Sequence, residues 1–217
     1  MTGNRSWGGL LMSSTRTQRR RRQQLAALIW DGLRARGESA SLAHVLWLFI
    51  LGLAVVIAQA PQYGWMLAPA LCLFLSLVTT ALFDWIYLIV PDRQLIIMLA
   101  CGGVFLARLD TPDIVTHVLA GFGGWAFLGL IAYAYESWRG RAGLGAGDAK
   151  LFGVAGLWVG PWGLPSCMIA AVISALISVA IERRASATYD GEHLLPFGPH
   201  LALGLWLTLV FGPLEWI

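Results

Sequence analysis

The sequence predicts an all-α polytopic membrane protein of about seven transmembrane helices with a cytoplasmic amino terminus, and three observations predict it. Of the 217 residues, 58% are hydrophobic and only 12% charged. Soluble domains run at about 45–50% and roughly 25%, so one core of this size cannot hide so much apolar surface. Apolar segments recur along the chain at lengths near the about 20 residues that a bilayer demands. The basic residues are also unevenly placed, 8 of the 15 falling in the first 36 positions and the rest beside apolar segments.

Taken in order, the first 40 residues are not a secretory signal, because no apolar core follows Arg19 to Arg22 before Asp31, Arg34 and Arg36 intervene. Gln24 to Arg36 can form an amphipathic helix on the inner membrane surface, with Leu25, Leu28, Ile29 and Leu33 against lipid. Residues 1–40 are therefore read as a basic cytoplasmic tail and 41–217 as a membrane-embedded domain. The expected spans are Leu42 to Ala60, Trp65 to Phe83, Leu95 to Leu109, Ile114 to Tyr133, Leu151 to Val159, Leu164 to Ile181 and Leu195 to Phe211. The fifth is short and needs extension in both directions. Pro61 to Gly64, Asp110 to Asp113 and Gly160 to Gly163 carry the Pro and Gly of turns, and they alternate with more charged connections.

With the amino terminus in the cytoplasm, 14 basic residues lie inside and only Arg108 outside. That division follows the preference for basic residues in cytoplasmic loops and supports an odd number of spans. Trp65, Trp162 and Trp216 then fall near the outer interface. The pI near 9.0 is thereby read as membrane orientation, and no nucleic-acid partner is expected. Cys72, Cys101 and Cys167 stand far apart in apolar runs without a CxxC pair, which excludes a disulfide scaffold. His44, His117, His193 and His200 share no metal-ligand spacing, so interface or loop roles are expected and no metal is. Gly156 and Gly160, at Gly-x-x-x-Gly spacing, read as a helix-packing face.

The carboxylates carry the chemistry. Asp31, Glu38, Asp110, Asp113, Asp190, Glu192 and Glu215 fall in tails or loops. Asp84, by contrast, ends the second span and runs into Trp-Ile-Tyr-Leu-Ile-Val, where a charge is costly and a functional role is the default expectation. Asp148 closes Gly143-Leu144-Gly145-Ala146-Gly147-Asp148 just before another span. Alternate glycines weaken a helix by about 1 kcal/mol each, so the segment should be partly unwound, and irregular backbone at membrane depth survives only around a polar cavity or within protein. No strand precedes these glycines and no Gly-Lys-Ser/Thr follows, which argues against a nucleotide site. Two carboxyls brought close together cannot easily both ionise, and such a pair is the acid and base of an aspartic protease.

Three boxes in order then resemble a known family. Asp84-Trp-Ile-Tyr-Leu-Ile-Val-Pro91-Asp92 is similar to the Asp-x6-Pro-Asp box of bacterial prepilin peptidases, and Gly143-Leu-Gly-Ala-Gly-Asp148-Ala-Lys150-Leu to their Gly-Met-Gly-x-Gly-Asp-x-Lys-Leu box. Pro196-Phe-Gly-Pro-His-Leu-Ala202 is similar to a third family segment. The resemblance implies an intramembrane aspartic endopeptidase of the GxGD type in the bacterial inner membrane. Such an enzyme removes the basic leader of type IV prepilins or type II secretion pseudopilins at the cytoplasmic face, with no cofactor and no metal.

By that resemblance Asp84 and Asp148 are the catalytic pair, supported by Asp92, Gly145, Gly147 and Lys150. Asp92 is a structural or substrate-orienting group, and Lys150 tunes the charge near Asp148, contacts lipid phosphate or serves as an inside-facing anchor. Prepilin or pseudopilin helices and the bilayer are the implied partners, and Glu136, Asp190 and Glu192 could attract the basic leader. Many relatives also carry two CxxC pairs in a cytoplasmic insertion and methylate the new amino terminus. This chain has neither the pairs nor room for the insertion, which counts against methyl transfer and leaves the peptidase chemistry intact. The rival readings are a proton-coupled transporter, which predicts inverted repeats not evident here, and a non-catalytic pilin-binding scaffold, which predicts loss of one acid.

Overall fold

A computed structural model describes residues 40–58, 64–107, 111–140, 143–185 and 196–214, all within one compact unit, Ala40–Ile217. The basic tail with its segment 24–36, the acids Asp110, Asp190, Glu192 and Glu215, and His193 lie outside the described residues. The architecture is all-helical among those described: α1 Ala40–Ala58, α2 Leu67–Tyr87 after a 3-10 turn at Gly64–Met66, α3 Asp92–Leu106, α4 Thr111–Arg139, α5 Ala146–Ala185 and α6 Gly198–Phe211. Leu67–Tyr87, Asp113–Arg139 and Ala146–Arg184 are each long and apolar enough to cross a membrane, and Ala43–Ala58 and Gly198–Phe211 are shorter apolar helices. Large apolar side chains such as Ile96, Leu119, Phe122, Leu130 and Leu176 point outward. An exterior of this kind is compatible with lipid rather than water.

The expected fifth and sixth spans are joined in α5, but Gly160 interrupts the helix with φ 66° and ψ −174°. The two parts cannot be collinear. A straight helix would separate Asp148 from Ser174 by about 39 Å at 1.5 Å per residue. Yet Lys150 bonds Asp92, Ser174 bonds His200, and Gly198, two residues before His200, bonds Asp84. The chain therefore reverses at Gly160, where the sequence placed a turn. Its backbone needs a glycine there because that conformation is nearly forbidden to side-chain-bearing residues. Gly160 thus serves the reversal and also packs closely on α4, where a Cβ would lie 3.0 Å from His117 Nε2.

Pro161 follows, and proline has no N–H to give the carbonyl four residues back. That carbonyl belongs to Leu157, and His117 Nδ1–H on α4 donates to it instead at 2.9 Å. A cross-helix imidazole thus supplies a donor to the last turn of the first arm, whose carbonyls the reversal leaves without helical partners.

The first arm of α5 lies close against α4. A Cβ on Gly153 would sit 2.9 Å from Trp125 Cβ, and one on Gly156 would strike the Ala120 backbone, 2.7 Å from Gly121 N. Small residues let the two backbones approach, and dispersion then holds them where lipid offers no hydrophobic drive. Gly156 is in this respect the packing residue the sequence predicts.

The other arm of α5 packs on α6, which also meets α1 and α2. Every residue from Gly198 to Trp206 is buried. A helix apolar all round belongs inside a bundle, and α6 is therefore the internal post on which the neighbouring helices rest. Phe74 of α2 tilts over its Trp206 with ring centroids 5.0 Å apart.

Candidate active site

Asp84 lies in the last turn of α2, which runs on to Tyr87 rather than stopping before the acid. The helix ends as Leu88 takes a left-handed backbone, φ 55°, and its N–H closes on Asp84 O at 2.9 Å. Left-handed closure is a common helix stop, although glycine usually provides it. From Ile89 to Pro91 the chain is irregular, and Pro91 caps α3, whose first residue is Asp92.

Asp148 occupies the first turn of α5. Helix begins at Ala146, and Gly143 to Gly145 before it are not helical, so the unwound approach expected from the glycines is present in shortened form. The Asp148 N–H donates to Gly145 O at 3.1 Å. Each glycine of the run meets a different neighbour. A Cβ on Gly143 would collide with the Tyr135 ring, one on Gly145 would lie 3.2 Å from Asp148 Oδ2, and one on Gly147 would lie 2.7 Å from Val90 Cβ. The last of these contacts seats the start of α5 against the link between α2 and α3.

Asp84 and Asp148 are thereby brought to one end of the bundle, the backbone next to Asp148 packing on the link that follows Asp84. Both are buried, at 6% and 7% exposure, where an isolated charge is expensive. Asp84 is held from a third direction, because the Gly198 N–H that opens α6 donates to Asp84 Oδ2 at 3.0 Å. A Cβ on Gly198 would lie 2.6 Å from that oxygen. Asp148 Oδ1 is buried and has no hydrogen-bond partner among the described residues, which is a group available to something that enters the site. Trp85, next to Asp84 in the chain, is also buried.

Asp92 stands apart from the buried pair. Its side chain is 71% exposed and accepts a 2.7 Å ion pair from Lys150 Nζ. That contact ties the first turn of α3 to the first turn of α5, and a carboxylate at the first position of a helix also suits the helix dipole. Lys150, expected beside Asp148, thus has Asp92 as its ion-pair partner. Glu136 is exposed near the end of α4. No group of three or more metal-ligating side chains occurs among the described residues.

The sequence reading missed Gly198 as a donor to Asp84, although it singled out the segment Pro196 to Ala202. It also missed His200, which is fully buried rather than in a loop. His44, on α1, stacks on it with ring centroids 6.3 Å apart. His200 is an interior residue of the helical bundle, and His44 is half-buried beside it.

A profile of the type IV leader peptidase family matches residues 71–180, the stretch that holds both acids. Curated relatives named prepilin leader peptidase/N-methyltransferase resemble the chain over most of its length. The one from Aeromonas salmonicida is 28% identical over 193 residues, 87% of this chain and 65% of its own. That from Escherichia coli K12 is 29% identical over 168 residues, 76% and 71% of the two chains. A third, from Dickeya chrysanthemi, is 30% identical over 201 residues, 90% and 70%. The chain thus spans about two thirds of the length of the relatives it matches. No solved structure matches it. With half its length covered by the family profile, and with a relative matched across 90% of the chain, this chain belongs to the type IV leader peptidase family.

Proposed function

We propose that the chain is an intramembrane aspartic endopeptidase that removes the leader of type IV prepilins or type II secretion pseudopilins at the cytoplasmic face of the bacterial inner membrane, with Asp84 and Asp148 as its catalytic pair. The observation that supports the reading is a buried carboxyl on each of two helices, Asp84 held by a backbone amide and Asp148 at the start of α5. The names of the relatives support the substrate class.

Two interacting buried carboxyls hold one proton between them. The ionised member takes a proton from water as the water oxygen bonds to the peptide carbonyl carbon. The protonated member hydrogen-bonds the carbonyl oxygen, on which negative charge develops. When the tetrahedral intermediate collapses, the carbon–nitrogen bond breaks and the nitrogen leaves with a proton from the pair. The pair titrates as a unit, and its roles exchange within the cycle.

A prepilin brings a basic leader in the cytoplasm and an apolar helix in the bilayer, so its scissile bond stands at the inner interface. The charge distribution of this chain puts both acids on that side, and its seven segments cross the membrane with α5 counted as two. Asp92 and Lys150, an exposed ion pair that ties α3 to α5, orient the arriving segment. Residues 1–40 form a basic cytoplasmic tail attached to the peptidase domain.

Co-expression with a prepilin in cells that lack their own peptidase tests the proposal by the downward shift in substrate size. Retention of full-length prepilin beside well-inserted enzyme would overturn it. Mass spectrometry of the mature amino terminus, expected to be unmethylated, separates cleavage from methyl transfer.

A further inference from the structure

We propose that His200 is a positioning residue for the Asp84 carboxyl, acting through Ser174 on the first turn of α6. The inference rests on the peptidase reading and concerns what keeps its first acid in place.

α6 opens at Gly198 with no side-chain cap on its amino-terminal end. Its first N–H is therefore free for Asp84 Oδ2, and it takes that oxygen at 3.0 Å. A single amide positions a carboxyl only if the turn carrying the amide is itself fixed. Pro199 restricts one torsion. The side-chain anchor is His200, two residues from Gly198 and fully buried. Its Nδ1 lies 2.8 Å from Ser174 Oγ on the second arm of α5. His44 Nε2 of α1 lies 3.4 Å from the same hydroxyl, so Ser174 stands between imidazoles from two other helices.

A leucine at position 200 would fill the space without taking two polar groups out of contact with water, and burying such groups is costly unless they are bonded. What a hydrogen bond adds over apolar packing is direction. Gly198 and His200 share one helical turn, so a slip at the Ser174 anchor is passed to the amide on Asp84. Misplacing a reacting group by about 1 Å can lower a rate by about 100-fold. The catalytic acids are not altered by this device. It holds one of them at the angle and height from which it meets its partner.

The test uses the full chain in detergent with a prepilin substrate and compares His200→Leu, His200→Asn, Ser174→Ala and the double variant Ser174→Ala/His200→Leu. Loss of the anchor should lower kcat by about 10- to 100-fold with KM within about twofold in both His200→Leu and Ser174→Ala. The double variant should be no worse than the poorer single one, since both remove the same contact. His200→Asn, which keeps a polar atom close to the position of Nδ1, should recover most of the rate. A wild-type kcat in His200→Leu, additive losses, or an Asn variant as impaired as the Leu variant would each overturn the proposal.

Hydrogen exchange at the Gly198 amide reads the same linkage without substrate. It should accelerate at least about 10-fold in His200→Leu and Ser174→Ala and stay near wild type in His200→Asn, whereas unchanged exchange in all three overturns the linkage. Failure of the wild-type chain to cleave any prepilin, with the exchange pattern as expected, would instead overturn the peptidase reading.

Discussion

At the scale of single residues, each of the two buried acids is crowded by a glycine, Gly198 beside Asp84 and Gly145 beside Asp148. Asp84→Asn and Asp148→Asn should each reduce prepilin processing by at least about 100-fold while membrane insertion stays normal, and processing and insertion assays on the same cells check this. Gly198→Ala should also impair processing although it removes neither carboxyl. Its methyl would occupy space 2.6 Å from Asp84 Oδ2, so the carboxyl must move. Lys150→Met should cost less than about 1 kcal/mol of stability, because exposed ion pairs contribute little, and denaturation in detergent measures it. Asp84 and Asp148 were legible in the sequence because a charge within apolar surroundings announces itself. Gly198 was not, since a backbone donor carries no side-chain signature and its acceptor lies 114 positions away. His200 was illegible for a similar reason: its partner Ser174 is an ordinary small polar residue in a span.

At the scale of elements, α5 is two arms joined by a glycine reversal, with a histidine of α4 donating to the last turn of the first arm. Gly160→Ala should destabilise the protein by about 1–3 kcal/mol, the usual cost of forcing a side-chain-bearing residue into a sparsely populated backbone region. His117→Leu should cost about 1 kcal/mol, because it leaves the half-buried Leu157 carbonyl without that donor. Thermal unfolding in detergent, followed by circular dichroism, reads both. The apolar runs and the Gly-Pro pair made the helices and the reversal readable. Helix ends were less so. Leu88 closes α2 in a left-handed conformation that its side chain disfavours, and α6 begins at Gly198 rather than Leu195, consistent with the poor fit of Pro196 and Pro199 to a helix interior.

At the scale of the whole molecule, the arrangement is a set of outer helices around a short interior one. Maleimide labelling of single cysteines, with Cys72, Cys101 and Cys167 replaced, tests its orientation. Arg139→Cys, at the exposed end of α4, should be blocked by a membrane-impermeant reagent only after the cells are opened, and Trp162→Cys, exposed beside the reversal, should be blocked in intact spheroplasts. Labelling of both from one side would reject the topology. The interior helix has one more implication. Ribosomes deliver Asp84 and Asp148 to the membrane well before they deliver Gly198, so a nascent chain owns both acids while the amide that steadies the first has yet to be synthesised. Assembly of the centre is therefore timed by translation, and α6 is the piece that completes it.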